Sequence, residues 1–159
     1  MSKVSPLVLA IQNEQAEIAF YLKEAKKTKN RAARTLFELL ADQEKHHITL
    51  LEDLSKRATE QGAWPRQIDT ATLKLDVSKE LERIDGLVTQ TPTKDSEDVQ
   101  ALKKALDFEH NAQQFYTQLA NQRENAQEKS FFLAIAGFER DHASWISSFL
   151  AALVEDGDE

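Results

Sequence analysis

The chain has 159 residues and a formal net charge of −7, with four glycines, three prolines and no cysteine. That length suits one domain with a continuous core, and scarce turn residues beside abundant Ala, Leu, Glu, Lys and Gln point to an all-α fold. The absence of cysteine excludes disulfides, thiolate catalysis, iron–sulfur clusters and thiolate-bound zinc, and the acidic balance argues against a nucleic-acid partner.

Met1 to Ala10 holds one lysine and too short an apolar stretch for a secretion signal, and no later run approaches the ~20 apolar residues of a membrane span. The expectation is a cytoplasmic protein with no membrane partner. The one basic cluster, Lys23 to Arg34, reads as solvated helix ends around a turn.

Ser5-Pro6 reads as an N-cap followed by proline at the first helical position, where its missing N–H is no loss. The first helix then carries Leu7, Ile11, Glu14, Ile18, Tyr21 and Ala25 at alternating spacings of four and three, one face of a bundle helix. Asn30 is the expected cap of a second helix, with Leu36, Leu40, Glu44, His47, Leu51 and Leu54 inward. Gly62, Pro65, Gly86 and Pro92 punctuate the next segment, a long crossover with a short helix expected between Val77 and Val88.

The third helix opens near Asp95-Ser96, with Glu97 and Asp98 suited to its first turn and Leu102, Leu106, Glu109, Gln113, Tyr116 and Ala120 inward. Asn125 caps the fourth, which turns Phe131, Ile135, Glu139, His142, Ile146, Phe149 and Leu153 to the core; Glu155 to Glu159 form an acidic tail expected to fray. The whole chain, 1–159, reads as a single domain of two helical hairpins, about 5–58 and 96–154, joined by a crossover at about 59–95.

Adding 95 to a residue number maps one hairpin onto the other without a gap. Leu7 pairs with Leu102, Glu14 with Glu109, Phe20-Tyr21 with Phe115-Tyr116, Asn30 with Asn125, Phe37 with Phe132, Glu44 with Glu139 and His47 with His142. A register that preserves ionisable residues on apolar faces is the mark of a duplicated unit.

About fifteen residues separate Glu14 from the turn near residue 29, and about fifteen more lead to Glu44; each leg climbs roughly 22 Å, so the two glutamates end level. The same arithmetic levels Glu109 with Glu139. Glu-x-x-His stacks both side chains on one helix face, at Glu44/His47 and at Glu139/His142. Four carboxylates and two imidazoles thus converge, and buried together they demand cationic compensation, for which a pair of metal ions with oxygen and nitrogen ligands would serve.

At these residues the sequence resembles the rubrerythrin-like branch of the ferritin-like di-iron carboxylate proteins, in which two helices give a Glu each and two give Glu-x-x-His. The resemblance covers all four long helices, while the segment from about Arg57 to Lys94 carries no motif. It implies a ferritin-like four-helix bundle with two iron ions, manganese or zinc being acceptable to the same ligands. Glu44 and Glu139 would bridge them, Glu14 and Glu109 would be terminal ligands, and His47 and His142 would give one nitrogen to each.

Tyr21 and Tyr116 would lie beside the metals by the same resemblance. Their spacing of seven from Glu14 and Glu109 puts each on the face of its own glutamate, where ordinary core packing is the competing reading. Glu17, one turn beyond Glu14, is either a further ligand or a solvent-exposed residue; its repeat equivalent is Ala112, and the family places its extra glutamate in the other half. His46 and His110 have no histidine equivalents and read as surface residues or neighbours of the ligands; Trp64 and Trp145 read as structural.

The implied activity is reduction of hydrogen peroxide, with electrons from a separate donor such as a rubredoxin-like protein, since this chain has no cysteines for a domain of that kind. Oxidation of ferrous iron with oxygen or peroxide is the second reading. A non-enzymatic helical interaction module is the third. Storage would need a cage-like assembly, whereas a peroxidase needs only a monomer or homodimer.

Overall fold

The computed structural model describes residues 5–65, 76–88 and 96–155, and every regular element among them is a helix. These are α1 (Pro6–Lys27), α2 (Arg31–Gln61), α3 (Ser78–Gly86), α4 (Glu97–Asn121) and α5 (Ala126–Glu155). The expected starts are realised in side-chain caps. Ser5 Oγ accepts from the Leu7 N–H, Asn30 Oδ1 from Ala33 at 2.9 Å, Ser96 Oγ from Val99, and Asn125 Oδ1 from Gln127 at 2.8 Å and Glu128 at 3.1 Å.

The second helix runs past the expected limit of its hairpin, ending at Gly62, whose φ of 70° is the left-handed stop that glycine adopts without strain. The short crossover helix is α3. Residues 66–75 and 89–95 of the crossover, and the tail beyond residue 155, lie outside the described residues. No described helix is long and apolar enough to cross a membrane.

Short turns make α1 and α2 one antiparallel hairpin and α4 and α5 another. The hairpins are locked in register where the Asp98 carboxylate, in the first turn of α4, accepts the backbone N–H groups of Lys29 and Asn30 at 3.2 and 2.9 Å. Phe20 stacks on Phe108, and Tyr21 and Tyr116 reach Glu109 and Glu14. As numbers rise on α1 they fall on α4, so these neighbours are antiparallel.

One correction concerns the phase of α1 and α4. Ile11 and Ile18 are only half-buried, as are Leu106 and Gln113. The buried line of α1 is Leu7, Ala10, Glu14, Glu17, Tyr21 and Ala25, and its image 95 residues on is Leu102, Ala105, Glu109, Ala112, Tyr116 and Ala120. Small residues at 10, 105 and 112 let the helices approach closely.

The core divides into two apolar clusters that exchange places under the repeat. One contains Tyr21, Leu36, Phe37, Leu40, Ala41, Leu102, Ala105, Ile146 and Phe149. The other contains their equivalents Tyr116, Phe131, Phe132, Ile135, Ala136, Leu7, Ala10, Leu51 and Leu54. The crossover touches both: Trp64 packs edge-on against Phe131 and Phe132, and Ile84 of α3 is buried in the first cluster. It therefore travels along the bundle, as a connection between antiparallel hairpins must.

Since Asn30 and Asn125 play the same part in the two halves, Asn30→Ala and Asn125→Ala should each remove about 1 kcal/mol. Thermal unfolding should show a drop of about 3 °C for each. A loss confined to one variant would mean that the halves do not cap alike.

Candidate metal centre

Between the two apolar clusters lies a layer in which Glu14, Glu17, Glu44, Glu109 and Glu139 are 0 % exposed and His47 and His142 are 1 % exposed. The helical phase dictates this. Glu14 and Glu109 each hold a position on the buried lines of α1 and α4, while Glu44/His47 and Glu139/His142 stack at i, i+3 on α2 and α5. All six side chains singled out by the repeat meet there.

His47 Nδ1 stands 3.4 Å from Glu44 Oε2 and 3.8 Å from Glu14 Oε1. His142 Nδ1 stands 2.8 Å from Glu44 Oε1 and 3.4 Å from Glu109 Oε1. The two imidazoles lie nearly parallel with centroids 5.9 Å apart, so Glu44 sits between them. Ligand atoms of Glu14, Glu44, His47 and Glu139 all fall within 4.8 Å of one another, and so do those of Glu44, Glu109, Glu139 and His142. Glu44 and Glu139 belong to both groups.

Burial of like charges sets the electrostatics. Desolvation, reinforced by neighbouring carboxylates, pushes Glu14, Glu17 and Glu139 well above the usual carboxylate range. Glu44 goes the other way: burial alone would raise it, but His142 and the hydrogen-bonding groups around it hold it well below. His47, which burial alone would depress, is carried up to about 9 by Glu14 and Glu44, and His142 is raised likewise by Glu109 and Glu44. Both tyrosine hydroxyls are pushed up by burial and by the carboxylates they face.

The tyrosines cross between hairpins. Tyr21 donates its hydroxyl to Glu109 Oε1, and Tyr116 donates to Glu14 Oε1 at 2.9 Å, with the Ala10 carbonyl at 3.2 Å. Each therefore lies on the buried face of its own glutamate, as the spacing of seven implies, while its hydroxyl serves the other hairpin's.

Glu17 is corrected too. The solvent-exposed reading fails, since the carboxylate is fully buried, yet it belongs to neither four-residue group. Its Oε1 accepts from Asn13 Nδ2 at 3.0 Å. His110 is exposed on the outer side of α4; His46 is half-buried with its ring 6.4 Å from that of His47. Neither joins a group.

Beside Trp145, already read as structural, two neighbours of the layer, Phe138 and Asn13, were missed in the sequence. Trp145 lies against the His142 ring at 5.1 Å and Phe138 against His47 at 5.5 Å, fixing the imidazole planes. Asn13 touches both Glu17 and, at 3.4 Å, the Tyr116 hydroxyl. Its place four residues before Glu17 was the available signal.

Among the described residues, nine buried side-chain polar atoms make no well-aligned hydrogen bond, and all nine are in this layer: eight on the six Glu and His residues, where imidazole and carboxylate meet as ion pairs, and one on Glu17. Buried polar atoms are ordinarily satisfied, and leaving so many unpaired is unfavourable by at least ~1 kcal/mol each. Oxygen and imidazole atoms aimed at common centres are what divalent or trivalent cations coordinate, so the residues fit a pair of metal ions.

With no cation bound, the shifts give stability a definite slope with pH. The contribution of His47, whose folded value is raised, is complete below pH 6.5 and lost as pH rises through about 9. The raised carboxyls act in the same direction, their contribution being lost as pH rises above the ordinary value of 4.5, while that of Glu44 is lost only as pH falls below 4.5. The metal-free protein should therefore melt on the order of 5 °C lower at pH 9 than at pH 6.5, and saturating divalent metal should flatten the slope. Scanning calorimetry across that range checks it; a melting point that climbs with pH would contradict the assignment.

No curated protein and no solved structure matches the chain. A family model described as the ferritin-like domain matches residues 2–152. That match spans both hairpins and the crossover, and the all-helical bundle with its carboxylate and histidine layer agrees with it: the chain belongs to the ferritin-like domain family.

Proposed function

We propose that the chain is a two-iron oxidoreductase of the rubrerythrin-like branch, reducing hydrogen peroxide with electrons from a separate donor. The observation that carries this reading is the sharing of Glu44 and Glu139 between two otherwise matched groups, each completed by one carboxylate and one imidazole. Matched, fully buried groups favour two resident ions over one resident ion and one in transit.

Glu14 and His47 would hold one iron, Glu109 and His142 the other, with Glu44 and Glu139 between them. Bound as a reduced pair, the irons would supply the two electrons that convert hydrogen peroxide and two protons into two waters. Tyr116 and Tyr21, by donating to Glu14 and Glu109, fix the orientation of the terminal carboxylates and leave the second oxygen of each free to face the centre. The apolar clusters on either side exclude bulk water and admit only small reactants. These residues hold no cysteine with which to build an iron–thiolate relay, so the reading takes the electrons from a separate centre, of which a rubredoxin-like carrier is one kind.

Protein from iron-replete cells should contain two irons per chain, and the anaerobically reduced form should be fully oxidised by one equivalent of peroxide. Sustained oxidation of many equivalents of added ferrous iron by oxygen, with peroxide ineffective, would instead make it an iron-oxidising protein. The double variant Glu14→Ala/Glu109→Ala should lose bound metal, and metal removal should lower the melting temperature of the wild type. Unchanged metal content in that variant would leave only the helical module.

Loss of a hydrogen bond to a ligand weakens binding without abolishing it. Tyr21→Phe and Tyr116→Phe should each reduce metal affinity about 10- to 100-fold, measured by competition with a chromophoric chelator. Affinities equal to wild type would return the tyrosines to ordinary core residues.

A further inference from the structure

The two halves share all six Glu and His positions of the layer but differ on the seam between α1 and α4. Phe20 and Phe108 stack across that seam with centroids 5.2 Å apart and planes 12° from parallel, closing it with two aromatic rings. The repeat relation turns Phe20 into Phe115 and Phe108 into position 13. There the second ring is missing, because Asn13 stands in its place.

Asn13 is half-buried, and its amide donates inward to Glu17 Oε1 at 3.0 Å and lies 3.4 Å from the Tyr116 hydroxyl, which in turn bonds Glu14. Glu17 is fully buried and its Oε2 has no partner; the equivalent of Glu17 in the other half is Ala112. A polar line therefore runs from the edge of the bundle to Glu14 on one side only. On the other side the same positions hold phenylalanine and alanine.

We infer that the seam at Asn13 is the entrance by which divalent cations reach the two ligand groups, with Glu17 as the carboxylate that receives them on the way. Oxygen donors in series suit a hard cation shedding its water, and Asn13 exchanges its hydrogen bond to Glu17 for an oxygen contact as the ion passes. Glu17 then belongs to neither group because it lies before them on the route. The inference rests on those groups holding ions, and its test separates the two.

Metal-free protein is mixed rapidly with excess cobalt(II), whose visible absorption reports the bound ion, and the final stoichiometry is measured by equilibrium titration. The wild type should take up two ions per chain. Glu17→Gln, nearly the same in shape, and Asn13→Phe, which installs the residue of the closed side, should each slow uptake about tenfold or more and still reach two ions per chain. Unchanged uptake in either folded variant would overturn the entrance. So would a final count of one ion in Glu17→Gln, which would make Glu17 a ligand; if Asn13→Phe loses helix content, Glu17→Gln alone decides. A wild type that binds no second ion would overturn the two-metal reading itself.

Discussion

Seven ionisable side chains compressed into one dry layer are the constraint on which the rest of this bundle depends. Burying one isolated carboxylate is unfavourable by several kcal/mol, and five at close quarters repel one another besides. The layer's own groups offer a partial relief, the imidazoles holding Glu44 low while burial and neighbouring carboxylates push Glu14, Glu17 and Glu139 up. Cations in the two ligand groups would relieve it more fully by pairing the atoms that have no hydrogen bond.

The apolar clusters give that layer its depth. Because one is the image of the other, the charged layer falls midway along the bundle, sealed by Phe37, Leu36 and Leu40 on one side and by Phe132, Phe131 and Ile135 on the other. The crossed tyrosines bind the halves at the same level, each hairpin holding a carboxylate of its neighbour. The Asp98 clasp on the Lys29 and Asn30 amides fixes the axial register, and a slip of one turn would separate each tyrosine from its glutamate.

The six shared positions were legible because they follow from local rules: helical period, turn length and rise per residue place Glu14 beside Glu44 and stack His47 above it, whatever the other hairpin does. What depends on how hairpins meet was not legible. Ile11 and Ile18 continue the apolar pattern of α1 better than Ala10 and Glu17 do, and only the packing of the second hairpin against α1 turns the helix towards the latter pair. For the same reason Glu17 is ambiguous in the sequence, and the spacing that puts each tyrosine on the face of its own glutamate does not tell which carboxylate its hydroxyl reaches. The end of α2 ran late because nothing before Gly62 stops a helix.

The aromatic closure on one side of the seam and the amide on the other bear on the ancestry of the chain. Were two separate, identical hairpins to assemble this bundle, any change at position 13 would appear on both faces at once, and so would any change at position 17. With both halves in one polypeptide, one face can change and the other stay. Asn13 opposite Phe108 and Glu17 opposite Ala112 are differences that a single polypeptide holding both halves can carry and a pair of identical hairpins cannot.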